Sequence, residues 1–305
     1  MKKLYYTIKP IIPRWLQIAV RRRVARHKRA RVGHIWPIDY RASRTPKGWP
    51  GWPEGKRFAL VLTHDVDTKK GHDKCLQLLG LEKTMGFKSS FYFVAKRYAV
   101  SGDLRRQLND EGFGVGIHGL YHDGKKFLNI NTFNSRAVQI NEYLKEWNAA
   151  GFSSPSMIRN LDWIHELDIE YDLSTFDTDP FEPQPEGIGT IFPFIVKNPL
   201  NDSSYVELPY TLPQDFTLFI IMKERNIDIW KKKIDWIAKH GGMALVNVHP
   251  DYMDFSNNGN LTEEYPVNMY IHLLDHLKDE YKGQYWNALP REVAQFCKEN
   301  LKRDS

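Results

Sequence analysis

The sequence has few cysteines and no long hydrophobic run. Cys75 and Cys297 are the only cysteines in 305 residues. Their wide separation excludes a disulfide framework and a cysteine metal cluster, and we expect two buried, reduced thiols. The strongest apolar runs, 58–62 and 243–248, have the length of buried strands, whereas about 20 apolar residues are needed to cross a bilayer. We therefore predict a protein that is not integral to the membrane.

The amino-terminal segment lacks both a secretory signal and acidic residues. Lys9, Pro10 and Arg14 interrupt any apolar signal core, and no small-residue cleavage site follows, which predicts a cytoplasmic protein. Residues 1–38 contain eleven Lys or Arg and no Asp or Glu, so this segment accounts for the sequence pI of about 9.0. A basic helix around 13–31 would fit an anionic membrane surface, a polyanionic partner, or a basic arm docked on the core.

From these alternatives we carry forward a peripheral contact of residues 1–35 with an anionic membrane, at the inner membrane face. We predict no nucleic-acid partner, because the rest of the chain is net acidic and has no nucleic-acid-binding motif. The oligomeric state is left open by the sequence.

The sequence divides into an amino-terminal extension and one large domain. Residues 36–55 are rich in Trp, Pro and Gly, so we expect this stretch to wrap against the domain rather than to form a regular helix. Strand and helix patterns alternate from residue 56 to 301, which predicts a parallel sheet, either open and doubly wound or closed as a barrel. The predicted units are an extension over 1–55 and a domain over 56–305.

Polar residues follow the predicted strands at the points where strands end. Asp65 and Asp67 follow an apolar strand, His118 and His122 follow another, and His249 follows a third. Each cluster alone has an ordinary structural explanation, such as a turn, a helix cap or a hydrogen-bonded core histidine. Together they supply three metal ligands, a free carboxylate and a separate imidazole, which is the set needed for metal-assisted hydrolysis.

The order of these motifs resembles the polysaccharide deacetylase superfamily, the NodB-homology type of carbohydrate esterase. The matching motifs are Thr-His-Asp-Val-Asp, His-x-x-x-His, Gly-Phe-x-Ser-Pro, Ser-Thr-Phe-Asp-Thr-Asp and a strand ending in Val-His, at 63–67, 118–122, 151–155, 174–179 and 248–249. The resemblance covers about 56–301. It implies an α/β fold, a deformed (β/α) barrel of about seven strands, and removal of acetyl groups from sugars with a divalent metal, usually zinc.

The resemblance also implies roles for individual residues. Asp65 would be the general base and His249 the general acid, with Asp177 orienting His249. The metal ligands would be Asp67, His118 and His122. The residues that we expect to contact substrate are Tyr121, Arg159 and Phe181.

One position departs from the family pattern. Ser153 stands where the family usually has an arginine that pairs with the catalytic aspartate. Arg159, six residues later, is the nearby arginine that could substitute for it.

We therefore predict a metal-dependent deacetylase of an N-acetylated sugar, either a glycan or a nucleotide- or lipid-linked precursor of a surface polysaccharide. The alternatives are a catalytically impaired glycan-binding or scaffold protein on the same fold, which Ser153 favours, and a hydrolase of another C–N or ester bond.

Overall fold

The computed structural model describes residues 13–184, 186–256 and 262–301, and a curled sheet of parallel strands lies at its centre. Seven parallel strands follow one another around the curl in the order β8, β1, β2, β3, β4, β5, β7. Their bounds are β1 Phe58–Val66, β2 Ser90–Phe93, β3 Gly114–Ile117, β4 Gly151–Phe152, β5 Tyr171–Asp172, β7 Ser204–Glu207 and β8 Met243–Val248.

Hydrogen bonds from the segment after β7 link the two ends of this curl. The backbone N–H groups of Thr211 and Leu212 donate to the Leu245 carbonyl in β8, at 3.3 and 3.2 Å. In return, the Leu245 N–H donates to the Thr211 hydroxyl at 2.8 Å. The sheet is thus the deformed (β/α) barrel of about seven strands that the motifs predicted.

Four further strands are peripheral. β6 (Phe194–Lys197) pairs antiparallel with β7, and β11 (Tyr285–Asn287) pairs with the first residues of β1. β9 (Met253–Asp254) and β10 (Tyr265–Pro266) form a separate pair. The sequence patterns did not predict β6 or β11, because such short segments carry too few residues for a recognisable alternation.

The central strand β1 explains why the barrel forms around this part of the sequence. All nine of its residues are buried, and it pairs with β8 along one side and with β11 and then β2 along the other. A strand covered on both faces needs apolar residues at consecutive positions rather than an alternating pattern. The run Phe58–Leu62 meets that need.

Nine α-helices surround the sheet in the described residues. Their bounds are α1 Arg14–Val32, α2 Lys69–His72, α3 Cys75–Met85, α4 Gly102–Asp110, α5 Ile130–Trp147, α6 Leu161–Ile164, α7 Asp228–His240, α8 Asn268–Glu280 and α9 Pro290–Asn300. The basic helix predicted around 13–31 corresponds to α1. No helix in the described part of the chain has both the length and the apolar character needed to span a bilayer.

Two parts of the amino-terminal region pack onto the barrel. In α1 the side chains of Ile18 and Ala25 are buried, and Arg22 donates to the carbonyls of Ile220 and Thr262 at 3.0 and 3.2 Å. In the Trp-rich stretch, Trp52 is buried and its indole N–H donates to the Gly241 carbonyl at 2.8 Å.

The segment beneath α1 is a π-helix over Phe216–Met222, which the sequence analysis did not predict. Its first six residues are all buried. A segment that is apolar on every side has no helical periodicity to detect.

Candidate active site

The predicted chemical residues lie at one edge of the barrel. Asp65 is the second-last residue of β1, and Asp67 follows that strand directly. His118 follows β3, Ser153 follows β4 and His249 follows β8. Because parallel strands share one direction, their carboxyl ends meet at the same edge, where α/β barrels place their reactive groups.

Three side chains at this edge could hold a metal ion. One ligand atom from each of Asp67, His118 and His122 lies within 4.8 Å of the other two. The Asp67 Oδ1 atom is 3.5 Å from His118 Nε2 and 3.3 Å from His122 Nε2. That oxygen is buried and has no hydrogen-bond partner. A buried carboxylate oxygen facing two imidazole nitrogens fits a divalent cation, because a cation would satisfy all three lone pairs.

The protonation preferences of these residues suit metal binding. Burial opposes ionisation of Asp67, but the imidazoles of His122 and His118 outweigh it and hold the Asp67 pKa well below its usual range. Burial lowers the pKa of His122, and the Asp67 carboxylate offsets this only in part. A charged carboxylate and a neutral imidazole are the forms that donate lone pairs to a metal.

A second layer of contacts fixes the loop that carries Asp67. The Asp251 carboxylate accepts a hydrogen bond from the Asp67 backbone N–H at 2.9 Å and another from the Thr68 hydroxyl. Gly71 allows this approach, since a Cβ atom there would lie 2.1 Å from Asp251 Oδ2. The absence of a side chain at Gly71 therefore lets Asp251 hold the backbone of the candidate metal site.

Asp65 lies beside the cluster and is held by neutral donors. Its Oδ1 accepts from the Ser153 hydroxyl at 3.2 Å, and its Oδ2 accepts from the Asn247 amide at 2.8 Å. Asp65 Oδ1 is also 3.3 Å from His118 Nδ1. His118 Nδ1 therefore faces Asp65 and Ser153, and His118 Nε2 faces Asp67. Metal-binding histidines are commonly oriented in this way, by a hydrogen bond at the ring nitrogen that does not bind the metal.

At the position where the family usually has an arginine, Ser153 thus contacts Asp65 with a neutral hydroxyl. Its Oγ lies 3.1 Å from His118 Nδ1 and 3.2 Å from the Tyr210 hydroxyl, in addition to Asp65. Arg159 does not substitute for the cation. Its guanidinium donates to the carbonyls of Met157 and Glu186, so the structure contradicts the suggestion that Arg159 pairs with Asp65.

His249 is paired with a carboxylate that the sequence did not indicate. Asp215 Oδ1 lies 2.7 Å from His249 Nδ1, and Asp215 Oδ2 accepts from the His249 backbone N–H at 2.8 Å. The Tyr265 hydroxyl donates to the same oxygen at 2.9 Å. Burial lowers the pKa of His249, but Asp215, by its charge and its hydrogen bond, with smaller contributions from Asp67 and Asp65, raises it to about 10.

The predicted partner of His249, Asp177, is engaged elsewhere. Its carboxylate accepts from the Lys233 ammonium at 2.6 Å, and both side chains are almost fully buried. The pairing of Asp177 with His249 is therefore corrected to Asp215 with His249. Asp177 is instead neutralised by Lys233 in α7.

The residues expected to contact substrate differ in their surroundings. Tyr121 is exposed, and the Arg136 guanidinium lies 5.2 Å from its ring centre. Phe181 packs edge-on against Trp36 at 5.0 Å and lies against α1. Arg159 lies over the Phe176 ring. Their roles in substrate binding stay predictions.

Sequence analysis missed two residues that complete the site. Asn247 is the one polar residue within the apolar strand Met243–Val248, and a polar residue in such a strand is a signal that could have been used. Asp215 lies in an irregular segment between β7 and the π-helix, 34 residues from His249. No local pattern marks it.

We compared the chain with known proteins. No model of a protein family matches it, and no curated protein sequence matches it. Among solved structures, a protein from Mycobacterium smegmatis that carries the name polysaccharide deacetylase is similar, with 17% identity, a TM-score of 0.64, and coverage of 84% of this chain and 95% of that chain.

Two other structures are similar to about the same degree. Puue allantoinase gives 13% identity, a TM-score of 0.65, and coverage of 87% of this chain and 98% of its own. A protein of Pseudomonas aeruginosa PAO1, also named as a polysaccharide deacetylase, gives 13% identity, a TM-score of 0.62 and the same two coverages. At these identities the likeness establishes a shared fold.

Proposed function

Because the chain has the fold of the polysaccharide deacetylase superfamily, as its motifs predicted, we propose that it is a metal-dependent hydrolase that removes the acetyl group from an N-acetylated sugar. The observation that carries the proposal is the convergence of Asp67, His118 and His122 beside a second carboxylate, Asp65, at the edge that also holds His249. A structural role alone does not explain an unpartnered buried carboxylate oxygen between two imidazoles.

The metal would be held by Asp67, His118 and His122, and zinc suits two imidazoles and one carboxylate. When bound, such an ion supplies a Lewis acid and lowers the pKa of water toward neutrality. Three protein ligands leave a coordination position open, which is typical of catalytic rather than structural sites.

Asp65 is placed to accept the proton of the attacking water. Ser153 and Asn247 donate one hydrogen bond to each of its oxygens, which fixes the plane of the carboxylate while leaving its remaining lone pairs for a proton. A positioned general base of this kind contributes about 10²–10⁴ in rate.

His249 is placed to protonate the leaving amine. The Asp215 carboxylate occupies Nδ1, so proton transfer must use Nε2, and the raised pKa keeps the imidazole protonated at neutral pH. An amine is a poor leaving group as an anion and needs a proton as the C–N bond breaks. The His249–Asp215 pair supplies it.

The substrate would be an N-acetylated sugar in a glycan or in a nucleotide- or lipid-linked precursor. Exposed Tyr121, one residue before the metal ligand His122, offers an aromatic face to a sugar ring. The sugar itself is not specified by any contact in the described residues.

The proposal is tested by metal content and acetate release. Purified wild type should contain about one divalent ion per chain and release acetate from N-acetylated oligosaccharides or nucleotide sugars, and a chelator should stop the release. His118→Ala should lose the ion by elemental analysis, because two ligands rarely suffice. His276→Ala, on α8 and remote from the cluster in sequence and contacts, is the matched control and should keep it. Equal metal content in all three proteins would refute the site.

Two other functions are supported by particular observations. Asp65 has no ion pair with a Lys or Arg in the described residues, and its side-chain donors Ser153 and Asn247 are neutral, which favours an impaired enzyme that binds glycans. The similarity to Puue allantoinase favours a hydrolase of a non-sugar C–N bond. Metal binding without turnover would support the first, and turnover of a cyclic or linear amide without any turnover of N-acetyl sugars would support the second.

A further inference from the structure

Helix α1 carries an unusually one-sided charge. Between Arg14 and Val32 it contains eight Lys or Arg residues and no Asp or Glu. Its inner side is docked on the domain through buried Ile18 and Ala25 and through the hydrogen bonds of Arg22. Helix α1 is therefore a fixed part of the fold, and most of its cations are on exposed residues.

The outer side of this helix is apolar where a surface helix is normally polar. Leu16, Val20 and Val24, which we call the outer stripe, are 39, 55 and 60% exposed. Their spacing of four residues places them along one line of the helix surface. Trp15 is also exposed, at 62%. Helices of soluble proteins direct such residues at the core, so the outer stripe needs a partner.

A groove runs beside the outer stripe. Its volume is about 510 Å³, and its far wall is made by Phe181, Thr217 and Ile221. Arg21 and Lys28 are also among its lining residues. The groove is thus an apolar channel with cations along the helix side, a combination that suits an amphiphile with a negatively charged head.

We propose that α1 docks the protein on an anionic lipid bilayer, with the outer stripe in the interfacial layer, an acyl chain in the groove and the surrounding cations on lipid head groups. Each Lys or Arg near an anionic membrane adds to the attraction, and partly buried apolar side chains add a contribution that salt does not screen. Neither contribution alone gives stable docking, but α1 presents both on one helix.

The same observations disfavour the other occupants. A polyanion such as RNA would use the cations but would gain nothing from Leu16, Val20 and Val24. A second copy of the chain would bring two sets of eight cations together, and like charges across an interface oppose association.

The docked face adjoins the candidate active site. Thr217 lines the groove, and Asp215, two residues earlier, holds His249. The Arg21 guanidinium lies 4.6 Å from the Phe216 ring centre, and that ring is 4.8 Å from the ring of Tyr252, which is 5.2 Å from His249. Docking through α1 would bring the catalytic edge close to the membrane surface.

The experiment measures binding of the full chain to vesicles by co-sedimentation. Phosphatidylcholine vesicles with added phosphatidylglycerol should bind the protein, and phosphatidylcholine alone should bind it at least tenfold less. Val20→Ser with Val24→Ser should lower binding to the anionic vesicles about tenfold, since losing the transfer free energy of even one valine corresponds to that factor. Val138→Ser on α5, where the valine is 63% exposed, is the matched control and should bind like wild type.

A charge series completes the test. Arg23→Gln with Arg26→Gln should also weaken binding about tenfold, and Lys278→Gln with Lys298→Gln, which removes the same charge from other helices, should weaken it little. Circular dichroism must show that each variant is folded. Binding that depends on salt and on the arginines but is unchanged by the valine variant would overturn the proposal in favour of a soluble polyanion. Absence of binding to anionic vesicles at low salt, or a dimer that the valine variant dissociates, would also overturn it.

None of these results depends on turnover. The docking proposal and the proposed deacetylase activity can therefore fail independently.

Discussion

Replacing Asp215 by asparagine would remove the charge that keeps His249 protonated while preserving much of the local shape. Asp215 is fully buried and makes three contacts around His249: with its ring, with its backbone N–H and with the Tyr265 hydroxyl. Asp215 Oδ1 also accepts from the Phe216 N–H at 2.8 Å, so the asparagine NH2 group would replace an acceptor of two donors. We therefore expect a folded variant of somewhat lower stability, whose main functional change is in the pKa of His249.

The size of the effect follows from the surroundings of the imidazole. Burial alone lowers the pKa of His249 below its ordinary value of 6.5, and Asp215 is the largest of the influences that raise it to about 10. A bound metal ion would offset the charges of Asp67 and Asp65, so the effect of Asp215 would remain the main one. We expect the His249 pKa in the variant to be 6.5 or lower.

The sign of the pH dependence follows. A general acid acts while it is protonated, so its activity is present below its pKa and lost as the pH rises through it. At pH 8 a group with a pKa of about 10 is almost fully protonated, whereas one at 6.5 is only about 3% protonated. The variant should thus lose about thirtyfold in kcat/KM at pH 8 and much less at pH 6.

The assay is the pH profile of kcat/KM for acetate release, together with an NMR titration of the His249 ring, which needs no substrate. Asp177→Asn is the control, because Asp177 contacts Lys233 rather than His249. It should lower the free energy of unfolding by about 3 kcal/mol, because Lys233 would be left buried without its carboxylate partner. The fall of kcat/KM at high pH should stay at the same pH as in wild type. If the fall of kcat/KM at high pH shifts in Asp177→Asn and not in Asp215→Asn, the pairing of His249 with Asp215 is refuted.

Other substitutions test the remaining roles. Asp65→Asn should abolish turnover and retain the metal, whereas Asp67→Asn should lose both, as measured by acetate release and elemental analysis; the reverse outcome would exchange the two assignments. Ser153→Ala should lower kcat about tenfold with the metal retained, because Asp65 loses one of two hydrogen bonds that orient it. Ser153→Arg should lower the melting temperature, since the position is 1% exposed and shares its hydroxyl with His118 and Tyr210. An Arg variant with unchanged stability and higher turnover would show that the neutral site is an impaired one.

Local patterns in the sequence determined which residues form β1, β3 and β8 and which chemical groups follow them. Parallel strands buried on both faces need continuous apolar runs, and such runs can be read without any structure. The edge at which these strands end then places Asp67, His118 and His122 together. The rule that parallel strands share an edge therefore predicts that these residues and Asp65 lie together. The assignment of Asp67 as ligand and Asp65 as base came from the family resemblance and stays a prediction. The predicted location, substrate contacts and absence of a nucleic-acid partner stay predictions.

Tertiary structure decided the partners. Whether Asp177 or Asp215 pairs with His249, and whether Ser153 or Arg159 contacts Asp65, depends on distances between side chains far apart in the chain. The observed partners are 34 and 88 residues apart. Such distances follow from how loops close over the barrel, and no local propensity encodes them. The same holds for α1: its charges and apolar residues were visible in the sequence, but only packing showed that Ile18 is buried and that the outer stripe is exposed. Local sequence sets strands and helices through short-range sterics and burial, whereas pairings across the fold depend on the packing of the whole chain.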